Sequence, residues 1–409
     1  MDSINKLKIV NDPIYGFITV PTESIYHLVE HPYFQRLRRI SQMGLSYLVY
    51  PGAHHTRFQH AMGAMHLAHR AVQVLRSKGV GISTEEEHGL LAAVLLHDIG
   101  HGPFSHALEH SLVEGIDHED ISLAFMQALN AESDGSLNLA ISMFRNEYSR
   151  PFFHQLISGQ LDMDRLDYIK RDSFYTGVSE GAINSERLIS MMNVFDGQLV
   201  LDEKGIYSVE KFIIARRFMY WQVYLHKTGL VAEQLLTRAL RRAKALVRQG
   251  DSIVASPTVL FFLERQFQLS DFSAEVIKRF AQLDDSDITW SLKQWVDGDD
   301  PVLSRLSNML LDRELLAIEL REMPYSSQEV EQRKQQCVKD LGIDHADTGY
   351  FVFTGSISNR AYNMEQDTIK LLTKQGDTMD VAQASDQLNL KALSKTVVKH
   401  YLCFPKPGN

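Results

Sequence analysis

A chain of 409 residues, 44% hydrophobic and 23% charged, has the composition of an ordinary globular protein with core enough for one large or two modest domains. Its net charge of −9 argues against a surface that coats nucleic acid, and leaves room at most for a local basic pocket. Two cysteines, Cys337 and Cys403, are too few for a disulfide framework or a cysteine zinc site and suit a reducing cytoplasm.

Residues 1–6 carry no signal-peptide pattern, and no apolar run approaches the roughly 20 residues that span a bilayer, so a cytoplasmic protein without a membrane partner is expected. Residues 8–20 read as a strand or arm broken by the Asp12-Pro13 turn. Residues 22–40 look helical, interrupted at Pro32 and ending in Arg36, Arg38 and Arg39. After a turn at residues 49–52, where His54 and His55 are expected to meet solvent, a helix over 61–77 stops at Gly79. Thr84 and Glu87 suggest a capping box for the apolar run of residues 90–96, which reads as a buried helix ended by Gly100, Gly102 and Pro103. Amphipathic helices follow at 118–129 and 137–144. The segment 161–172 carries a polar stripe, Asp164, Tyr168 and Asp172, at positions that share one helical face. A long helix over 208–247 shows a similar stripe, Arg216, Tyr220 and Tyr224. Past a boundary near Pro324 the texture changes to strands at 350–354, 368–372 and 400–404 with a helix at 385–397. The expected organisation is an arm and first helix over 1–50, a helical core over 51–323 and a small α+β region over 324–409.

The stretch His97-Asp98-Ile99-Gly100-His101-Gly102-Pro103-Phe104-Ser105-His106 crowds three histidines and a carboxylate behind the apolar helix. A buried carboxylate beside imidazoles is costly unless compensated, and a divalent metal compensates it. His60, His97, Asp98 and Asp164 stand out as ligands. Mixed His/Asp ligation suits Mn²⁺, Fe²⁺, Mg²⁺ or Zn²⁺, with open positions for water and a substrate oxygen.

These residues resemble the H…HD…D signature of HD-domain phosphohydrolases, and more closely the deoxynucleoside triphosphate triphosphohydrolases among them. The shared patterns run in order: Asn11-Asp12-Pro13-Ile14-x-Gly16, Phe34-Gln35-Arg36-Leu37-Arg38, Pro51-Gly52-Ala53-x-His55-x-Arg57-Phe58-x-His60, the stretch from His97 to His106, and Asp164-x-x-Asp167-Tyr168-x-x-Arg171-Asp172. The resemblance is dense over residues 8–230, thinner to about 320, and slight beyond. It implies a mostly α-helical HD core with a small C-terminal α+β appendage, and metal-dependent hydrolysis of a dNTP, dGTP among them, to deoxynucleoside and inorganic triphosphate.

Carried over residue by residue, the resemblance makes His106 the general acid for the leaving 5′-oxygen. Glu109 stands where the family often has Asp to orient that histidine. His101 and the pair His118 and Glu119 would bind or polarise phosphate oxygens, although His118 also suits a plain helix N-terminal role beside Asp117. Arg57, Arg165 and Arg216 match phosphate-gripping positions, Arg165 replacing a Lys of an animal member of the family. Gln42, Tyr168, Asp172 and Tyr224 match residues around the deoxyribose, while Met43 and Leu225 depart from the family pattern, so base preference does not carry over. Lys8, Asn11, Glu30, Gln35 and Arg38 match a second site that binds an activating nucleotide between subunits, and imply a homo-oligomer, dimer or tetramer. Packing of the arm at a subunit interface is the alternative. Two rival functions remain open at this level: another HD phosphohydrolase acting on phosphomonoesters or phosphodiesters, and a non-catalytic nucleotide- or nucleic-acid-binding protein.

Overall fold

The apolar run before His97 forms the helix Thr84–Leu96, buried without a break from Gly89 to Leu96, as a helix that is hydrophobic all round must be. Its cap lies one residue earlier than the sequence suggests. Ser83 Oγ accepts the Glu86 N–H at 3.1 Å and Glu86 Oε2 accepts the Ser83 N–H at 2.8 Å, which closes the reciprocal box. Glu87 turns instead to Arg76 and His69. The computed structural model describes residues 8–104, 106–109, 111–365, 367–385 and 393–406, apart from the side chain of His106.

The helix Arg57–Ser77 packs against both Thr84–Leu96 and the helix Met163–Thr176. Ala61, Gly63, Ala64, Ala68 and Ala71 are all buried along it, and such small residues let neighbouring helices approach. At Gly63 the approach is closest: a Cβ there would collide with Asp167 Oδ1 and Arg171 Nη2. The three helices thus bring His60, His97 and Asp164 to one end of the core.

Strands Lys8–Asp12 and Gly16–Val20 pair as an antiparallel hairpin, with Gly16 at a φ of +76°. Residues 22–40 break into the helices Glu23–Glu30 and Pro32–Gln35 and a 3₁₀ turn, Arg36–Arg39. Pro32 holds the preceding His31 in an extended conformation, φ −63° and ψ 136°, and itself opens the second helix. Helices His118–Glu132 and Asn138–Phe144 form where expected. The long helix over 208–247 is divided. It runs Ile206–Met219, widens into a π-turn at Tyr220–Tyr224 where Leu225 N–H reaches the Tyr220 carbonyl at 2.8 Å, and resumes as Lys227–Gln249.

In the C-terminal region Val397–Phe404 is the centre of an antiparallel three-stranded sheet between Ala317–Arg321 and Phe353–Asn359, with helix Ser327–Leu341 beside it. The strand expected at 350–354 is displaced to Phe353–Asn359 by a 3₁₀ turn, His345–Tyr350. Of the helix expected at 385–397, residues 386–392 lie outside the described residues, and from Val397 the chain is strand. An unforeseen hairpin, Met192–Phe195 with Gln198–Asp202, pairs in parallel with Lys370–Leu372, so the appendage and the core share a sheet. The chain is mostly helical with a C-terminal α+β region, as the sequence implies. No helix among the described residues is long and apolar enough to cross a membrane.

Gly63→Ala should lower stability by about 1–3 kcal/mol, as overpacking in a filled interior does. The urea midpoint checks this, and an unchanged midpoint would mean that the Asp167–Arg171 pair can step aside.

Candidate active site and metal centre

His60 lies in the first turn of Arg57–Ser77, His97 directly follows Thr84–Leu96, and Asp164 lies in the first turn of Met163–Thr176, where the helix dipole favours a carboxylate. His60 Nδ1 donates to Asp167 Oδ2 at 2.8 Å, and His97 Nδ1 donates to the Val94 carbonyl at 2.6 Å. Each imidazole is thereby fixed with its Nε2 turned inward. The two Nε2 atoms lie 3.2 and 3.5 Å from Asp164 Oδ1, and 3.7 and 3.4 Å from the oxygens of Asp98. Both are buried without a hydrogen-bond partner in the described structure.

Buried nitrogen lone pairs facing two carboxylates make a donor set for a divalent cation. The ligand atoms of His60, His97 and Asp164 fall within 4.8 Å of one another. Burial disfavours a charged His60, yet the Asp164 and Asp167 carboxylates that face its two nitrogens outweigh that and raise it to about 10. Burial likewise opposes ionisation of Asp98, but His97, His101 and Arg57 hold it well below the usual carboxylate range. Arg57 Nη1 sits 2.5 Å from Asp98 Oδ2. His101 and His118 stack with ring centres 3.8 Å apart, and Glu109 Oε1 lies 3.1 Å from His118 Nδ1 and 3.8 Å from His101 Nδ1. Burial and the Arg57 charge push His101 down to about 3. Glu119 is exposed on the next helix, and the side chain of His106 lies outside the described residues.

A second wall rises from the same helix face. Asp172 Oδ1 lies 2.6 Å from His55 Nε2, and Asp172 Oδ2 accepts the Tyr224 hydroxyl at 2.9 Å. Tyr168 meets Tyr224 edge to face at 5.7 Å, Tyr220 meets it at 5.2 Å, and the Arg216 guanidinium lies 5.7 Å from the Tyr220 ring. Gln42 N–H donates to the His55 carbonyl at 3.0 Å, and its buried Oε1 has no hydrogen-bond partner in the described structure. Arg165 is tied down locally by the Gly159 carbonyl and by Asp162, the cap of its own helix.

Two family models match the chain, one described as the HD domain over residues 57–166 and one as the HD associated region over residues 183–252. The first spans every residue of the His60, His97, Asp98 and Asp164 cluster. A phosphohydrolase of Bacteroides thetaiotaomicron, solved as a crystal structure, is similar at a TM-score of 0.95 and 48% identity, over 98% of this chain and 100% of that one. This chain belongs to the HD-domain phosphohydrolases. HD domains bind divalent metals, in keeping with the cluster of His and Asp ligands. Among curated relatives, the uncharacterized protein YwfO of Bacillus subtilis is 32% identical over 98% of this chain and 93% of its own length. A deoxynucleoside triphosphate triphosphohydrolase SAMHD1 homolog of Dictyostelium discoideum is 30% identical over 60% of this chain and 51% of its own length.

Within this HD fold the residues matched to a second nucleotide site divide. Lys8, Asn11 and Glu30 are exposed, Lys8 Nζ lying 4.7 Å from the Tyr26 ring centre. Gln35 and Arg38 are bound to each other at 2.9 Å, Gln35 also donates to the Val29 carbonyl at 2.7 Å, and Arg38 covers the Phe58 ring at 3.5 Å. Two residues that hold the HD site escape sequence reasoning. His55, expected in solvent, is buried against Asp172 and stacked on Tyr175 at 4.3 Å. Arg36, read as part of a basic helix end, is fully buried. It donates to the Ile99 carbonyl at 2.9 Å, to that of His101, and to that of Leu283 at 3.3 Å. It therefore pins the turn that carries Asp98, and burial lowers it to about 9. Membership in a shared motif was the available signal for both: Phe34–Arg38 contains Arg36, and the pattern over residues 51–60 names His55 but not His54.

His97→Ala and Asp164→Ala should each lower retained divalent metal after dialysis by at least about tenfold while leaving the helical content intact. Elemental analysis beside circular dichroism checks both, and full metal retention in either variant would remove that side chain from the ligand set.

Proposed function

We propose that this protein hydrolyses deoxynucleoside triphosphates, dGTP among them, to deoxynucleoside and inorganic triphosphate. The observation that carries the reading is the stripe Asp164, Tyr168 and Asp172 on one helix face. One end of it faces the His60 and His97 imidazoles, and the other is a carboxylate gripped by His55 and Tyr224. A metal end and a sugar end on one face suit a nucleotide lying along the helix. The resemblance to triphosphohydrolases supports the same substrate class.

His60, His97, Asp98 and Asp164 would hold the divalent ion (Mn²⁺, Fe²⁺, Mg²⁺ or Zn²⁺), whose chemistry is to polarise a phosphoryl oxygen and lower the pKa of water. Arg57 and Arg216 neutralise the triphosphate, and Arg165 borders it from the cap of its helix. His101 and His118, with Glu119 next to His118 in the first turn of its helix, contact phosphate oxygens. His106, oriented by Glu109, delivers the proton that the departing 5′-oxygen requires. Asp172 and the unpaired Gln42 Oε1 accept the 3′-hydroxyl, and Tyr224 lies under C2′, where a ribose hydroxyl would have no room. Lys8, Asn11, Glu30, Gln35 and Arg38 receive an activating nucleotide between subunits of a homo-oligomer. The exposure of the first three supports this assignment.

Product analysis tests the reaction. Metal-loaded protein given each dNTP, alone and with a trace of GTP, should release nucleoside and triphosphate. Orthophosphate or a nucleoside monophosphate would move the protein to another HD chemistry. His106→Ala should lower kcat by about 10²–10⁴-fold, and an unchanged kcat would take away its general-acid role. Tyr224→Ala should narrow the preference for dNTP over NTP by at least about tenfold, measured as the ratio of kcat/KM values, as losing a steric exclusion in a pocket does. Undiminished selectivity would remove Tyr224 from sugar recognition.

A further inference from the structure

Behind the metal-facing side of His60 runs a second, fully interior connection. His60 Nδ1 is held by Asp167 Oδ2 at 2.8 Å. Asp167 is gripped in a fork by Arg171, Nε to Oδ2 at 2.8 Å and Nη2 to Oδ1 at 3.0 Å. Arg171 extends its remaining nitrogen, Nη1, to Asp12 Oδ2 at 2.7 Å. All four side chains are buried. Asp12 ends the first strand of the N-terminal hairpin, and its other oxygen, Oδ1, accepts the Ile14 and Tyr15 N–H groups at 2.9 and 3.0 Å, which shapes the turn. Tyr15 from that turn also covers the fork, its ring centre 5.7 Å from the guanidinium. Gly63 leaves the fork room against the His60 helix.

The hairpin is a two-stranded ribbon whose inner face, Ile18 and Val20 with Val10 and Tyr15, packs on the core while Ile9 and Phe17 are more than half exposed, and such ribbons are marginal without packing of that kind. A buried guanidinium between two carboxylates is, by contrast, costly to break from either side. The fork can therefore keep its present geometry only while the hairpin delivers Asp12.

We propose that Asp12, Arg171 and Asp167 form a positioning chain through which the N-terminal hairpin sets the metal affinity of His60. The inference rests on the metal centre proposed above. It adds that the hairpin and the metal site are thermodynamically linked, so each stabilises the other. The residues are positioning groups, since none faces the space between His60 Nε2 and His97 Nε2.

Asp12→Asn isolates the link. Its amide oxygen can still accept the turn N–H groups, but its NH₂ replaces the oxygen that Arg171 requires. Mn²⁺ titrated calorimetrically into metal-free protein should bind Asp167→Asn about 10–100-fold more weakly than the parent, the usual cost of losing a partner behind a metal-ligating histidine. Asp12→Asn, two bonds further out, should weaken it by at least about threefold by the same reasoning, in metal-free protein that melts at a lower temperature but still cooperatively. Equal Mn²⁺ affinity in Asp12→Asn and parent would overturn the chain. Should the variant not fold, hydrogen exchange in the parent decides. Mn²⁺ should slow exchange of the amides of residues 8–20 more than those of the comparison hairpin at residues 192–202, and equal effects on the two would overturn the proposal. A parent that binds no Mn²⁺ would sink the metal centre and the chain together, an outcome distinct from either of these.

Discussion

One imidazole stands between two carboxylates of the same helix. Asp164 and Asp167, three residues apart on Met163–Thr176, face opposite nitrogens of His60. Water does not reach this histidine, so its orientation is fixed by the protein groups around it, the Asp167 hydrogen bond foremost. Asp167 fixes the ring, and Asp164 is left to share with His97 and Asp98 the space a cation would fill. Removing Asp167 would leave the imidazole with no carboxylate behind it, and removing Asp164 would leave only Asp98, 3.7 Å away, before it. That is why Asp167, which lies behind His60 rather than in the space between the imidazoles, belongs to the site as much as Asp164 does.

The helix packing exists to permit that arrangement. Arg57–Ser77 presents alanines and Gly63 where Met163–Thr176 crosses it, so the carboxylates reach His60 without a gap. The apolar helix Thr84–Leu96 supplies the third side and releases the chain at His97, after which a tight turn presents Asp98 and His101. Ile99 seats the side of that turn in the core, and Arg36 ties down its backbone by occupying its carbonyl oxygens. A single buried guanidinium satisfies three carbonyls that would otherwise be stranded away from water.

The wall built around Asp172 follows the same logic. Asp172 is buried and both its oxygens are engaged, by His55 on one side and by Tyr224 on the other. Tyr224 reaches it from the π-turn, which widens the helix by one residue where the wall is built. A regular helix through that region, as its periodicity suggests, would carry every later side chain to a different face. The departure from regularity therefore sits at the candidate site, where such departures concentrate.

The sequence by itself determined a mostly helical HD fold, the residues His60, His97, Asp98 and Asp164 that the fold draws together, and the stripe Asp164, Tyr168 and Asp172. Those features are local: an apolar run, a cap and a spacing of four residues are written in consecutive letters. Only the tertiary structure decided that His55 is interior while its neighbour His54 is exposed, that Arg36 clamps the Asp98 turn, and that Asp12 reaches Arg171. Each of these joins residues tens to more than a hundred positions apart, and an isolated arginine or histidine carries no mark of burial in its own neighbourhood. The hairpin Met192–Phe195 with Gln198–Asp202 and its parallel pairing to Lys370–Leu372 escaped for the same reason, since strands of three to five residues have too little periodicity to show and take their stability from partners elsewhere in the chain.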